Sequence, residues 1–249
     1  MIPSKDSEQT AGDQPAVSVY ELVRHFGRFA ALRGITSDFA AGKLYVVLGD
    51  NGAGKSTLLR IIAGLLPATG GEVRVLGAKD LRSAATRVGY MGHAPLVYDE
   101  LDAMENLRYF AGLYGIHDDA LCATAIARVG LDPMLKRRVG QYSQGMRQRI
   151  SLARAVIHDP ELLMLDEPFS NVDVGSAREM AKLLGHMRDE GKTVFVVTHQ
   201  ASILAPVADE TVLLADGLMV ARERGMPEWM TQPHPAEALV ARAHQEARR

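Results

Sequence analysis

An α/β fold with a mostly parallel sheet is predicted for this 249-residue chain by three observations. The apolar run Leu44-Tyr45-Val46-Val47-Leu48 leads straight into Gly49-Asp50-Asn51-Gly52-Ala53-Gly54-Lys55-Ser56, and Thr57-Leu58-Leu59-Arg60-Ile61-Ile62 follows with helical spacing. A second apolar run, Leu162-Leu163-Met164-Leu165, ends in the acids Asp166 and Glu167. Further short apolar runs alternate with helix-like segments, and that alternation calls for a parallel sheet covered on both faces.

The elements follow in chain order. Residues 17–23 alternate apolar with polar and read as an edge-type strand, and 44–48 as a buried one. Residues 72–76 and 88–91 are short strands bounded by glycines. From 103 to 158 the character changes: 103–114, 120–129 and 144–157 have helical spacing and strand-like runs are missing, so this stretch reads as a helical insertion. Strands return at 162–165 and 193–197. They return again at 211–214 and 218–221, where Asp216-Gly217 suits a hairpin turn and supplies an antiparallel portion. Helices are expected at 174–190 and 201–207, and a short polar helix after Pro233 and Pro235.

The glycine-rich loop carries the first chemistry. Glycines remove the Cβ atoms that would keep backbone N–H groups away from a phosphate, and the helix starting near Lys55 aims its positive dipole end at the same point. Lys55 reaches β and γ oxygens, and Ser56 offers a hydroxyl to Mg²⁺. Asp166 and Glu167 stand at the carboxyl end of a buried strand, where ligands collect in open α/β sheets. Asp166 suits the water shell of Mg²⁺, which prefers oxygen ligands, and Glu167 suits the role of polarising an attacking water.

Composition narrows the class. Apolar residues make up 47% and charged residues 23%, ordinary for a protein with a core. The formal net charge is −2, so no global field favours nucleic acid, and no nucleic-acid partner is expected. The arginines at 137, 138, 147 and 149 read as a solvated helical face. Cys122 is the single cysteine, which precludes an intrachain disulfide and fits a reducing compartment. No apolar stretch approaches the about 20 residues of a membrane-spanning helix. The first fifteen residues are polar and read as a flexible tail without the apolar core of a secretory signal.

The phosphate loop, Leu162-Leu163-Met164-Leu165-Asp166-Glu167-Pro168, Ser170-Asn171-Val172-Asp173 and Val197-Thr198-His199 occur together in one order. In that order the chain, from about residue 17 to 222, resembles the nucleotide-binding subunit of an ATP-binding cassette (ABC) transporter, a P-loop NTPase with a RecA-like core. The resemblance implies a tail at 1–15, an ABC ATPase domain at 16–225 with a helical subdomain at about 94–158, and a helical appendage at 226–249. It implies ATP and Mg²⁺ as ligands, with Lys55, Glu167 and His199 catalytic and His199 on the γ-phosphate. The nucleotide contacts implied are Phe26 on the adenine face, the loop from Gly49, Asp50, Asn51, Gly52, Ala53 and Gly54 through Lys55, Ser56 and Thr57, and, from the opposing subunit, Ser143, Gly145 and Asp173.

Two departures from the family pattern stand out. The signature, usually Leu-Ser-Gly-Gly-Gln, falls on Tyr142-Ser143-Gln144-Gly145-Met146, which keeps Ser143 and Gly145 at the start of a helical run. The usual Gln of the metal-sensing loop falls on His93. Imidazole is a poorer Mg²⁺ ligand than an amide oxygen, so His93 is expected to act on the metal site through water and to make turnover pH-sensitive near neutrality.

The resemblance further implies a homodimer formed on ATP binding and a separate integral membrane permease. Residues 94–101 would contribute to the permease docking surface or serve internal packing, and the subunit would sit peripherally on the cytoplasmic face of the inner membrane. The run Gly89-Tyr90-Met91-Gly92-His93-Ala94-Pro95 and the segment Tyr142 to Arg149 are similar to the ATPase of haem exporters used in c-type cytochrome maturation. Exporters of drugs, polysaccharides or lipids, and soluble ABC ATPases, share the remaining motifs.

Overall fold

The computed structural model describes residues 14–232 together with 234, 235, 237 and 239. The tail expected at 1–15 therefore falls almost wholly outside the described residues, as does most of the helix expected after Pro233 and Pro235.

Two sheets make the frame. In the larger, six strands lie in the order β5 (Val88–Met91), β6 (Leu162–Asp166), β7 (Thr193–Val197), β3 (Leu44–Leu48), β8 (Glu210–Ala215) and β9 (Leu218–Arg224). All pairings are parallel except that of β8 with β9, which close a hairpin at Asp216-Gly217. The smaller sheet is antiparallel, with β1 (Val17–Phe26) between β2 (Phe29–Phe39) and β4 (Gly70–Val75). The expectation of an edge strand at 17–23 is thus corrected: β1 is paired on both sides. Its alternation records one exposed face, and an exposed face says nothing about whether the strand's two edges are bonded. β2 was not foreseen, because Gly34 and several register shifts interrupt its pattern.

Side chains of the central strands alternate between two cores, as the pleat requires. Leu44, Val46, Leu48, Leu163, Leu165, Val194 and Val196 face α4 (Gln144–Val156), α5 (Val174–Asp189) and the helices α2 (Ala103–Leu113) and α3 (Asp119–Arg128). Tyr45, Val47, Leu162, Met164, Phe195 and Val197 face α1 (Lys55–Ile62) and the inner side of the antiparallel sheet. The two sheets are keyed together by Phe39, Tyr45 and Phe195, whose ring centroids lie 4.8 to 5.1 Å apart.

The helices begin where the sequence supplies caps. Asp102 and Glu105 form a reciprocal capping box on α2, and the Asp118 carboxylate accepts the Ala120 and Leu121 N–H groups on α3. No strand interrupts residues 103–156. The last of these helices lies directly on the sheet: a Cβ on Gly89 of β5 would come 2.3 Å from the Ala155 carbonyl oxygen of α4. The helix expected at 201–207 is shorter, α6 (Ala201–Leu204), and a single 3-10 turn, Glu228–Thr231, carries the buried Met230 beyond β9.

Candidate functional site

Three neighbouring strands end at one edge of the sheet. Register places Asp166 opposite Val197 and Val47 opposite the same residue, so the loops after β3, β6 and β7 emerge side by side. The loop after β3 owes its path to glycine at two points. Gly49 has φ +142°, with a Cβ position 2.1 Å from the Leu214 carbonyl oxygen. Gly54 caps α1 at φ +101°, with a Cβ position 2.5 Å from the Ala31 carbonyl oxygen. A side chain at either position would both strain the backbone and collide.

Lys55 opens α1 and folds back over the loop, its Nζ donating to the carbonyl oxygens of Gly49 at 2.7 Å and Asp50 at 2.9 Å. The residue is only 6% exposed, and that burial pulls its ammonium pKa down while Glu167, Asp166 and Asp50 act in the opposite sense. Ser56 Oγ donates to Asp166 Oδ1 at 2.9 Å. These two oxygens form a compact pair, the number of protein ligands Mg²⁺ accepts when phosphates and water complete its shell. Among the described residues no cluster of three or more His, Cys, Asp or Glu is arranged to hold a metal.

Glu167 follows Asp166 with φ +56°, its N–H donating to the Val197 carbonyl at 2.9 Å. Its Oε2 accepts the His199 N–H at 3.3 Å, and its Oε1 lies 3.4 Å from His199 Nε2, in ion-pair reach but without hydrogen-bond alignment. Burial pushes this carboxyl up from its ordinary value, against the lowering influence of His199 and Lys55.

A cavity of about 440 Å³ joins these groups. The turn between β1 and β2 contributes Phe26, Phe29 and Ala31, and the phosphate loop with α1 contributes Asn51, Gly52, Gly54, Lys55, Ser56 and Thr57. His93, Glu167, Ser170, Val197 and His199 close the other side. Of the residues singled out from sequence, Gly49 and Ala53 are structural parts of the loop behind this wall, and Asp166 stands behind Ser56. The Asp50 carboxylate instead faces a neighbouring cavity, where His234 Nδ1 lies 3.3 Å from its Oδ1.

Ser143, Gly145 and Asp173 do not line the cavity of their own chain. Ser143 caps α4, its Oγ accepting the Met146 N–H at 3.2 Å, and Asp173 caps α5, its Oδ1 accepting the Ser176 N–H at 2.9 Å. The two helix starts adjoin, with Val172 and Ser176 both 3.6 Å from the Cβ position of Gly145. Sequence reasoning missed Phe29 and Ser170. Phe29 had a readable signal in its place three residues past Phe26 across Gly27-Arg28; Ser170 had none beyond its closeness to Glu167.

The comparisons with known proteins come to the same place. A family model described as ABC transporter matches residues 32–170. The ABC transporter ATP-binding protein NatA of Bacillus subtilis is 33% identical over 199 residues, covering 77% of this chain and 81% of the relative. Fluoroquinolones export ATP-binding protein Rv2688c of Mycobacterium tuberculosis is 34% identical, with 88% of this chain and 70% of the relative covered. Bacitracin transport ATP-binding protein BcrA of Bacillus licheniformis is 32% identical, with 82% and 68% covered. Among solved structures, the ADP conformation of the ATP-binding cassette MJ1267 superposes with a TM-score of 0.77 at 22% identity, over 90% of this chain and 98% of that one. A dimeric post-hydrolysis state of the cassette MJ0796, bound to ADP and Pi, gives 0.75 at 23% identity, over 84% and 98%. These two show the fold.

Proposed function

The chain belongs to the ABC transporter family of ATP-binding subunits, and from that premise we propose that it hydrolyses ATP to drive export through a separate membrane subunit. The observation that carries this reading is the convergence of Lys55, the Ser56–Asp166 pair and the Glu167–His199 pair on one cavity.

The residues divide the work. Lys55 exchanges its two loop carbonyls for phosphate oxygens, and the N–H groups at the start of α1 point the same way. Ser56 and Asp166 would hold Mg²⁺, which when bound supplies positive charge against the β and γ oxygens. Glu167 orients water for in-line attack and accepts its proton, a task eased by a carboxyl already raised by burial. His199 holds Glu167 in place and offers its imidazole toward the γ-phosphate. His93 lines the same cavity as Glu167 and His199 and acts on the site through water.

Ser143, Gly145 and Asp173 lie outside their own cavity, and this supports a head-to-tail homodimer in which each copy completes the other's site. The helix start at Ser143 then meets the phosphate held by the Lys55 loop of the second copy. The membrane subunit docks elsewhere. A groove of about 410 Å³ between α1 and β5 on one side and α2 and α4 on the other is lined by Tyr90, Leu96, Phe110, Leu113 and Tyr114. It adjoins the segment 94–101 and suits a short helix. No helix of the described residues is long and apolar enough to cross a membrane, and in this reading the pathway is the other subunit's. A peripheral position on the cytoplasmic face of the inner membrane follows from that docking.

For the cargo, two of the relatives named above are a fluoroquinolones export and a bacitracin transport ATP-binding protein, which favours an exporter of drugs or peptide antibiotics. Haem export for c-type cytochrome maturation rests on Gly92-His93-Ala94-Pro95. Expression with the products of neighbouring genes tests the whole reading: the chain should co-purify with a polytopic membrane protein, which names the cargo class. A chain that hydrolyses ATP and stays free of membranes in that setting would make it a non-transport ABC ATPase.

A further inference from the structure

Phe26 and Phe29 pair with one another across the two-residue turn Gly27-Arg28, so both side chains leave the same face of the hairpin tip. Both are open to solvent, 46% and 58% exposed, and both line the cavity that holds Lys55. Their surroundings differ. The Arg24 guanidinium lies over the Phe26 ring, 4.6 Å from its centroid, and is pinned there by a hydrogen bond from its NH1 to the Pro67 carbonyl at 2.8 Å. One face of Phe26 is thereby taken and the other left free. Phe29 has no ring or cation partner among the described residues, and the neighbouring His25 and Arg28 do not line the cavity.

We propose that Phe29 is a second base-stacking residue, which with the free face of Phe26 forms a two-ring seat for the purine, and that Arg24 is a positioning residue fixing the Phe26 ring. The proposal rests on the ATP-binding reading above. The seat is apolar, with Ala31 as the third hairpin contribution, so it reads the flat face of a base and not its edge. An aromatic ring in contact with a base is worth roughly a 5- to 150-fold change in affinity on truncation to alanine. Phe29 is exposed at a turn and supports no core, so its truncation leaves the fold in place.

The test is binding of Mg-ATP and of inorganic tripolyphosphate to the native chain and to Phe29→Ala, Phe29→Trp, Phe26→Ala and Arg24→Gln. Phe29→Ala should weaken ATP by a factor in that range, leave tripolyphosphate unchanged, and be rescued by Phe29→Trp. Arg24→Gln should raise KM for ATP with kcat held. If Phe29→Ala binds ATP as the native chain does while Phe26→Ala loses affinity, Phe29 has no part in the seat, although the ATP-binding reading stands. Equal weakening of ATP and tripolyphosphate by Phe29→Ala would likewise overturn the proposal. A native chain that binds neither ligand would overturn the ATP-binding reading itself.

Discussion

Glu167 is tied to His199 twice, through the histidine's backbone N–H at 3.3 Å and its Nε2 at 3.4 Å. The acid at the end of one strand is therefore held by the loop after the next, and the two move as a unit. Replacing the carboxylate with an amide keeps the shape and removes the proton acceptor. Glu167→Gln should lower hydrolysis by about 10²- to 10⁴-fold while Mg-ATP still binds, and size-exclusion chromatography with Mg-ATP should show the variant accumulating as a dimer.

The same substitution has a signature in stability. Burial raises the Glu167 carboxyl above its ordinary 4.5, so the folded chain holds that proton more tightly than the unfolded chain does. Its contribution is fully present below the unfolded value and is lost as pH rises through the folded value. Glu167→Gln removes that loss. Thermal melts should show the variant gaining Tm over the native chain as pH climbs from the ordinary carboxyl range toward neutrality, with the gain shrinking again in acid.

His93 shares its cavity with Glu167 and His199. His93→Gln should preserve hydrolysis and narrow its pH dependence, measured as kcat from pH 5.5 to 9. Superimposable profiles would assign His93 to loop structure alone.

Tyr98 is 44% exposed, edge-on to Tyr109 and stacked near Phe110, whose ring lines the groove assigned above to the membrane subunit and gives Tyr98 an apolar rim. Its backbone is fixed by two hydrogen bonds with the buried Asn106. Tyr98→Asp places a charge on that apolar rim. ATP binding should survive, and the stimulation of hydrolysis by the membrane subunit should fall. A variant that fails to fold would show instead that the ring serves internal packing.

Phe195 is fully buried between the two sheets, stacked on Tyr45 and edge-on to Phe39. Phe195→Ala should destabilise the chain by about 3–5 kcal/mol, the usual cost of truncating a core aromatic, as measured by denaturant unfolding. The loss should appear without any change in the residues that touch nucleotide.

The parallel strands and the helices of the middle segment were readable because each follows one physical rule. Strands buried on both faces are continuously apolar, as at residues 44–48 and 162–165, and the middle helices repeat their apolar residues with helical spacing, Ser143 capping the last of them. The antiparallel sheet was harder. Its order depends on which distant strands share backbone bonds, and β2 hides its alternation behind Gly34 and shifts of register. The loop residues around Lys55 were legible because glycine geometry leaves a pattern in the sequence. The separation of Ser143 from the cavity of its own chain came from the family resemblance and not from any local pattern, since it depends on where an entire helical segment is mounted.

That mounting has a mechanical meaning. Where Ala155 rests on Gly89, the tail of α4 meets β5 with no side chain interposed, and β5 ends two residues before His93. The far end of the same helix bears Ser143. A rod seated bare on the plate beside His93 has its closest backbone approach at Gly89, far from the end that bears Ser143. With the docking proposed above, a pivot at Gly89 would turn a small displacement at the groove into a larger one at the Ser143 end of the helix.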